Sequence, residues 1–160
     1  TIDINGEQDL LMSLRDISAR VRERDIKRVL HQISEAASTT DNLRNLFPEI
    51  RQILGTVIDT TNFRIALYNK EEDKITMPYM VDQYDKYTSF VGGKSLTAYV
   101  IKEDKSLLLA VGEKKKWINS HGLRPIGHPS EIWLGVPIHA EHEAIGVVVV
   151  QSYDLSLIHI

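Results

Sequence analysis

The apolar positions of this chain follow a helical rhythm in the first third and a rhythm of two thereafter. From Leu10 to Ala37 no proline or glycine intervenes, and Leu10, Leu14, Ile17 and Val21 recur at spacings of four, three and four, the pattern of one helix face. That stripe then slips. Arg24 and Arg28 stand where it should continue, and it resumes in a new phase at Ile26, Leu30, Ile33 and Ala37. The slip reads either as a skip in a two-stranded coiled coil or as the join between a linker helix and the first helix of a domain. Ser38, Thr39, Thr40 and Asp41 offer capping oxygens for a second helix. Its apolar face is Leu43, Leu46, Phe47, Ile50, Ile53, Leu54 and Val57. Pro48 predicts a first turn at Phe47 and Pro48, or a kink there.

Beyond Asn62 the pattern is that of strands. Phe63, Ile65 and Leu67 alternate with Arg64, Ala66 and Tyr68, and after a polar turn over Asn69 to Lys74 a second strand returns from Ile75 to Val81; Pro78 puts that strand at or near a sheet edge. Asp82 to Phe90 reads as a loop. Ser95 is the expected N-cap of a short helix carrying Leu96, Tyr99, Val100 and Ile101. A strand over Ser106 to Ala110, a short helix over Glu113 to Ser120 and a loop over His121 to Ser130 follow. Strands over Ile132 to His139 and Ala144 to Ser152 close the chain around a polar turn. Val147 to Val150 is apolar on both faces, which predicts a central strand. The order of elements gives an α+β fold.

Composition narrows the chemistry. The 160 residues hold 19 basic and 22 acidic side chains and no cysteine, which argues against a nucleic-acid-binding surface and removes thiolate metal sites, cysteine nucleophiles and cofactors tethered through sulfur. No apolar run reaches the ~20 residues that span a bilayer, so a cytoplasmic protein without membrane insertion is expected. Gly93-Lys94-Ser95 looks like the end of a phosphate-binding loop, but Thr88 stands where that motif requires its first glycine. His139, Glu141, His142 and Glu143 sit on a tight hairpin where alternate side chains diverge, so no metal is expected there. No nucleophile elbow or spaced carboxylate pair occurs, and no catalytic residue is assigned.

Several segments resemble a GAF domain of the kind attached to bacterial histidine kinases: Ile33-Ser34-Glu35-Ala36, Asn62 to Tyr68, Pro78 to Asp82, Gly93 to Val100, Trp133 to Ile138 and Ile145 to Tyr153. They lie in order within His31 to Asp154, about three quarters of the chain. The resemblance implies a central antiparallel sheet with the N-terminal helices on one face and the short helices and loops on the other. It divides the chain into a linker or signalling helix (1–25), a sensory domain (26–154) and a truncated or non-native tail (155–160). It also implies a small-molecule pocket on the loop side, a helical dimer, and an output domain such as a kinase or cyclase in the same full-length chain. Members that attach a bilin covalently or reduce methionine sulfoxide use cysteines that this chain lacks, so the identity of a ligand does not carry over.

Two expectations about sites follow. The narrow stripe of Leu10, Leu14, Ile17 and Val21 suits a two-helix seam and predicts a homodimer. A ligand, if the domain has one, is expected among Tyr79, Phe90, Trp117, His121, His128 and Trp133, where rings supply contact area and histidine nitrogens orientation. The alternative is a structural dimerisation domain in which these rings simply cap a filled core. A cavity of about 300 Å³ or more with convergent polar groups would separate the two.

Overall fold

The computed structural model describes the backbone of residues 4–110 and 112–154, with side chains from residue 22 onward within that range. The tail assigned to residues 155–160 therefore lies outside the described residues, as do the side chains of Leu10, Leu14, Ile17 and Val21. Two compact units make up the chain, residues 1–57 and 58–160.

The first unit is a pair of packed helices, α1 (Ile4–Thr39) and α2 (Leu43–Leu54). The backbone of α1 runs unbroken through the phase slip at Arg24 to Arg28. The start of α2 differs from expectation. Asn42 is the cap, its side chain accepting the Arg44 N–H, and Pro48 lies six residues into the helix. Ser38 and Thr39 instead turn their hydroxyls back onto the Glu35 carbonyl and finish α1. Asn competes equally with Ser and Thr for a cap, and Pro48 withholds only the N–H that would have met the Arg44 carbonyl.

The second unit is an antiparallel sheet of six strands, β1 (Asn62–Asn69), β2 (Lys74–Val81), β3 (Ser89–Val91), β4 (Leu107–Leu109), β5 (Ile132–Ala140) and β6 (Glu143–Ser152), in the order β3-β2-β1-β6-β5-β4. The valine-rich β6 is central, paired with both β1 and β5. Strand β3 was not anticipated, because three residues inside a polar loop carry no readable alternation. It covers only Lys74 to Thr76 of β2, so Pro78 stands beyond it at a free edge. Opposite Ala66 the register shifts, and Met77 and Pro78 share that position as a bulge, where a missing N–H costs nothing. The β5–β6 hairpin turns through Glu141 and His142, both with positive φ (50° and 70°), as a two-residue turn matching the twist of the strands requires.

Helix α3 (Leu96–Glu103) and helix α4 (Lys114–Ser120) cover one face of this sheet. Alternation puts Arg64, Ala66 and Tyr68 of β1 on that face with Val147, Val149 and Gln151 of β6 and Trp133 of β5. Leu96, Val100, Ile101, Ile118, Trp133, Val147 and Val149 form its core. The indole of Trp133 lies over Gly135, where any Cβ would strike the ring. Phe63, Ile65, Tyr79, Val148 and Val150 belong to the opposite face.

Gly146 packs so closely on β1 that a Cβ would collide with the Ala66 carbonyl oxygen. Gly146→Ala should cost about 1–3 kcal/mol in urea unfolding. A variant as stable as the parent would contradict the pairing of Leu67 with Gly146.

Candidate functional site

Between the covered face of the sheet and the segment 121–130 lies a cavity of about 520 Å³. Three anchors hold that segment over the sheet. The Arg124 N–H donates to the Lys94 carbonyl (2.9 Å), the His128 N–H to Asp85 Oδ1 (2.8 Å), and Lys114 Nζ to the carbonyl and hydroxyl of Ser130 (2.7 Å each). Gly127, at φ 87°, lets the loop approach Asp85 where a Cβ would meet the carboxylate. The His128 ring stacks on Tyr84 with centroids 4.4 Å apart, and Tyr153 closes on both rings edge-on.

The floor is unusual for a sheet interior because it holds a guanidinium. Arg64 is only 5% exposed. Its Nη1 donates to the Tyr87 hydroxyl (2.7 Å), its Nη2 makes a long contact to Gln151 Oε1 (3.5 Å), and its buried Nε has no partner. Gln151 passes the connection on, donating from Nε2 to Asp82 Oδ2 (2.8 Å). Burial works to raise the Asp82 carboxyl, but the N–H groups of Asp85 and Tyr84, with Gln151 and Tyr153, hold it below its ordinary value. Burial raises both the Tyr87 and Tyr153 hydroxyls, Tyr153 further by donating to Asp82, so both stay protonated.

Polar groups and apolar walls converge on the space. Ser95, the cap of α3, and Thr97 in its first turn line it together with Phe90, Leu96, Ile118, Ile126 and Trp133. Ser95 Oγ is spent on the Ala98 N–H as the helix cap. Four cationic side chains reach the lining (Arg64, Lys114, Lys115 and Arg124) against one carboxylate, Glu131. A chain of net charge −3 thus has a positive pocket.

Of the residues singled out from sequence, Phe90, His128 and Trp133 line the cavity. Tyr79, Trp117 and His121 do not. Tyr79 is on the opposite face, edge-on to Phe63 at 5.9 Å. Trp117 and His121 stack on each other at 3.9 Å beside Tyr99, and His121 Nδ1 is bonded to the Trp117 carbonyl (2.8 Å), so this trio ties α4 to α3. No sequence pattern marks Arg64, Lys114 or Gln151 as site residues. The one signal is a charge at the third position of β1, inside its apolar stretch. The phosphate-loop look-alike spends its Gly93 N–H on the Asp73 carboxylate. Glu143 pairs with Lys70 and His139 with Asp104, and no three metal-ligating side chains converge among the described residues.

The chain has the fold of GAF domains, as its solved structural neighbours establish. It resembles the GAF domain of a phosphoenolpyruvate-protein phosphotransferase from Coxiella burnetii with a TM-score of 0.62 at 13% identity, covering 82% of this chain and 79% of that one. It resembles the GAF domain of a two-component sensor histidine kinase from Bacillus halodurans with a TM-score of 0.53 at 10% identity (72% and 80% covered). A third likeness is to the free methionine-R-sulfoxide reductase of Neisseria meningitidis, with a TM-score of 0.59 at 14% identity (81% and 74% covered). No protein-family model and no curated protein matches the chain.

Burial brings the Lys114 ammonium down from 10.5 to about 8, with Glu131 opposing and nearby Arg64 adding to the fall. The folded chain therefore releases this proton before the unfolded chain does. Below about pH 8 both states carry it and folding bears the full penalty; between about 8 and 10.5 the penalty is relieved and stability rises. Lys114→Met should flatten that rise in urea melts compared at about pH 7.5 and about pH 9.5. An equal slope in parent and variant would contradict this placement of the ammonium.

Proposed function

We propose that this chain is a non-catalytic sensory module of a larger cytoplasmic signalling protein, which takes up a small molecule in the cavity over Arg64 and relays that event through a helical dimer to a kinase or cyclase output domain. The cavity carries the reading. Its 520 Å³ exceed the size that separates a ligand pocket from a packing defect, and charged and hydroxyl groups converge on it from β1, α3, α4 and the overlying loop. The likeness to a sensor kinase domain is consistent with this role. A ligand acts on a partner element only by favouring one of two arrangements.

An enzymatic reading has one observation in its favour. Ser130 Oγ and Lys114 Nζ are 2.7 Å apart, the spacing of a serine–lysine pair. Lys114 Nζ also donates to the carbonyl of the same serine, and this pair of bonds to one residue makes the ammonium a tether between α4 and the loop. The neighbouring reductase fold acts on methionine sulfoxide, chemistry for which this cysteine-free chain has no thiol.

Native mass spectrometry of freshly purified protein should reveal a bound small molecule, or a broad metabolite screen should raise the melting temperature. Trp117→Ala, which removes a ring outside the cavity lining, should lower melting while leaving that ligand response intact. A chain that neither retains nor responds to any small molecule would support the ligand-free dimerisation module instead. For the relay, Leu14→Glu with Ile17→Glu should give a folded monomer in sedimentation. A monomeric parent, or an unchanged dimer, removes the seam.

A further inference from the structure

The cavity is not only large; its charge is unbalanced at one identifiable point. A guanidinium carries five N–H donors and a charge that is expensive to bury without an opposing group. Arg64 commits one donor firmly, to a neutral hydroxyl, and a second weakly, to a neutral amide; Nε has none. No carboxylate stands within ion-pair distance of it among the described residues. Asp82, the acid next along its hydrogen-bond chain, is reached only through Gln151. Its oxygens already take the Tyr84 and Asp85 N–H groups, Gln151 and Tyr153. The lining adds Lys114, Lys115 and Arg124 to this unspent charge, with Glu131 alone against them.

The first turn of α3 faces the same space through Ser95, Leu96 and Thr97. The early N–H groups of a helix lack intrahelical acceptors and favour negative charge. Ser95 Oγ satisfies Ala98, which leaves the N–H groups of Leu96 and Thr97 for another acceptor. Apolar side chains, among them Phe90, Ile118, Ile126 and Trp133, share the wall with these polar groups. A bare inorganic ion would satisfy the cations and leave those walls wet, in a volume far above the ~30 Å³ share of one water.

We infer that the cavity binds a small organic oxyanion, its carboxylate or phosphate group seated against Arg64 and the first turn of α3 and its apolar body on Phe90, Ile118 and Trp133. The inference rests on the sensory reading and adds the class of ligand to it. An incoming oxyanion takes the donors that the buried Arg64 has unspent, and charge-assisted bonds of that kind are the strong ones.

Matched probes separate charge from shape. Calorimetric titration of the chain at neutral pH with phenylacetate against phenylacetamide, and with phenyl phosphate against phenol, compares each anion with a neutral counterpart. At least one anion should bind ~10-fold or more tightly than its partner, and which one does so identifies the headgroup. Arg64→Gln, or Lys114→Gln should the first variant fail to fold, should bring the anion down to the affinity of the neutral probe. Equal binding within both pairs, or an anion affinity unchanged in folded Arg64→Gln, overturns the anion assignment and leaves a sensor of neutral ligands. Failure of all four probes, with no response in the metabolite screen, overturns both.

Discussion

A cation buried under a loop, with no acid beside it, is the constraint around which the second unit is arranged. Withdrawing a guanidinium from water costs several kcal/mol unless hydrogen bonds and opposite charge replace the lost solvation. Arg64 receives a phenol, a distant amide and no carboxylate. A domain with only packing to achieve would be served as well by a hydrophobic residue here, since core ion sites seldom add stability over one. The charge is better explained by what enters the cavity than by what surrounds it now.

Backbone pairing delivers this arrangement. Because β1 and β6 are antiparallel and central, Arg64 lies opposite Val149 and Gln151 opposite Asn62, all on the face that α3 and α4 cover. Depth in the sheet fixes the floor, and the anchored segment 121–130 forms the roof. Its polar anchors are the backbone bond to Lys94, the one to Asp85 and the Lys114–Ser130 tether, and the His128 ring on Tyr84 and Leu123 on the core add apolar contact.

The fold was largely legible in the sequence because its signals are periodic. Alternation over Phe63 to Tyr68 marks β1, the unbroken apolar run Val147 to Val150 marks β6 as central, and Ser95 marks α3 by a local cap. Strand β3 escaped because three residues are too few for a period. The start of α2 was misplaced because Asn42 and Asp41 offer similar capping oxygens and only geometry chooses between them. The cavity was legible only in part. Rings are conspicuous in a sequence, so Phe90, His128 and Trp133 were found together with Tyr79, Trp117 and His121, which structure other faces. Arg64 and Gln151 were missed because a polar residue on an alternating strand looks solvated until the register shows which face is covered. Their meeting depends on pairing across 87 residues, which no local pattern encodes.

The central claim concerns one side chain, and proton–nitrogen NMR can observe it directly. The Arg64 Nε–Hε resonance, assigned by its loss in Arg64→Gln, should move further than that of any other arginine as phenyl phosphate or phenylacetate is added, and the movement should saturate. If the methyl groups of Leu96 and Ile118 respond to the added anion while the Arg64 resonance stays still, the anion enters the cavity without engaging the guanidinium. The account given for the buried charge would then be wrong.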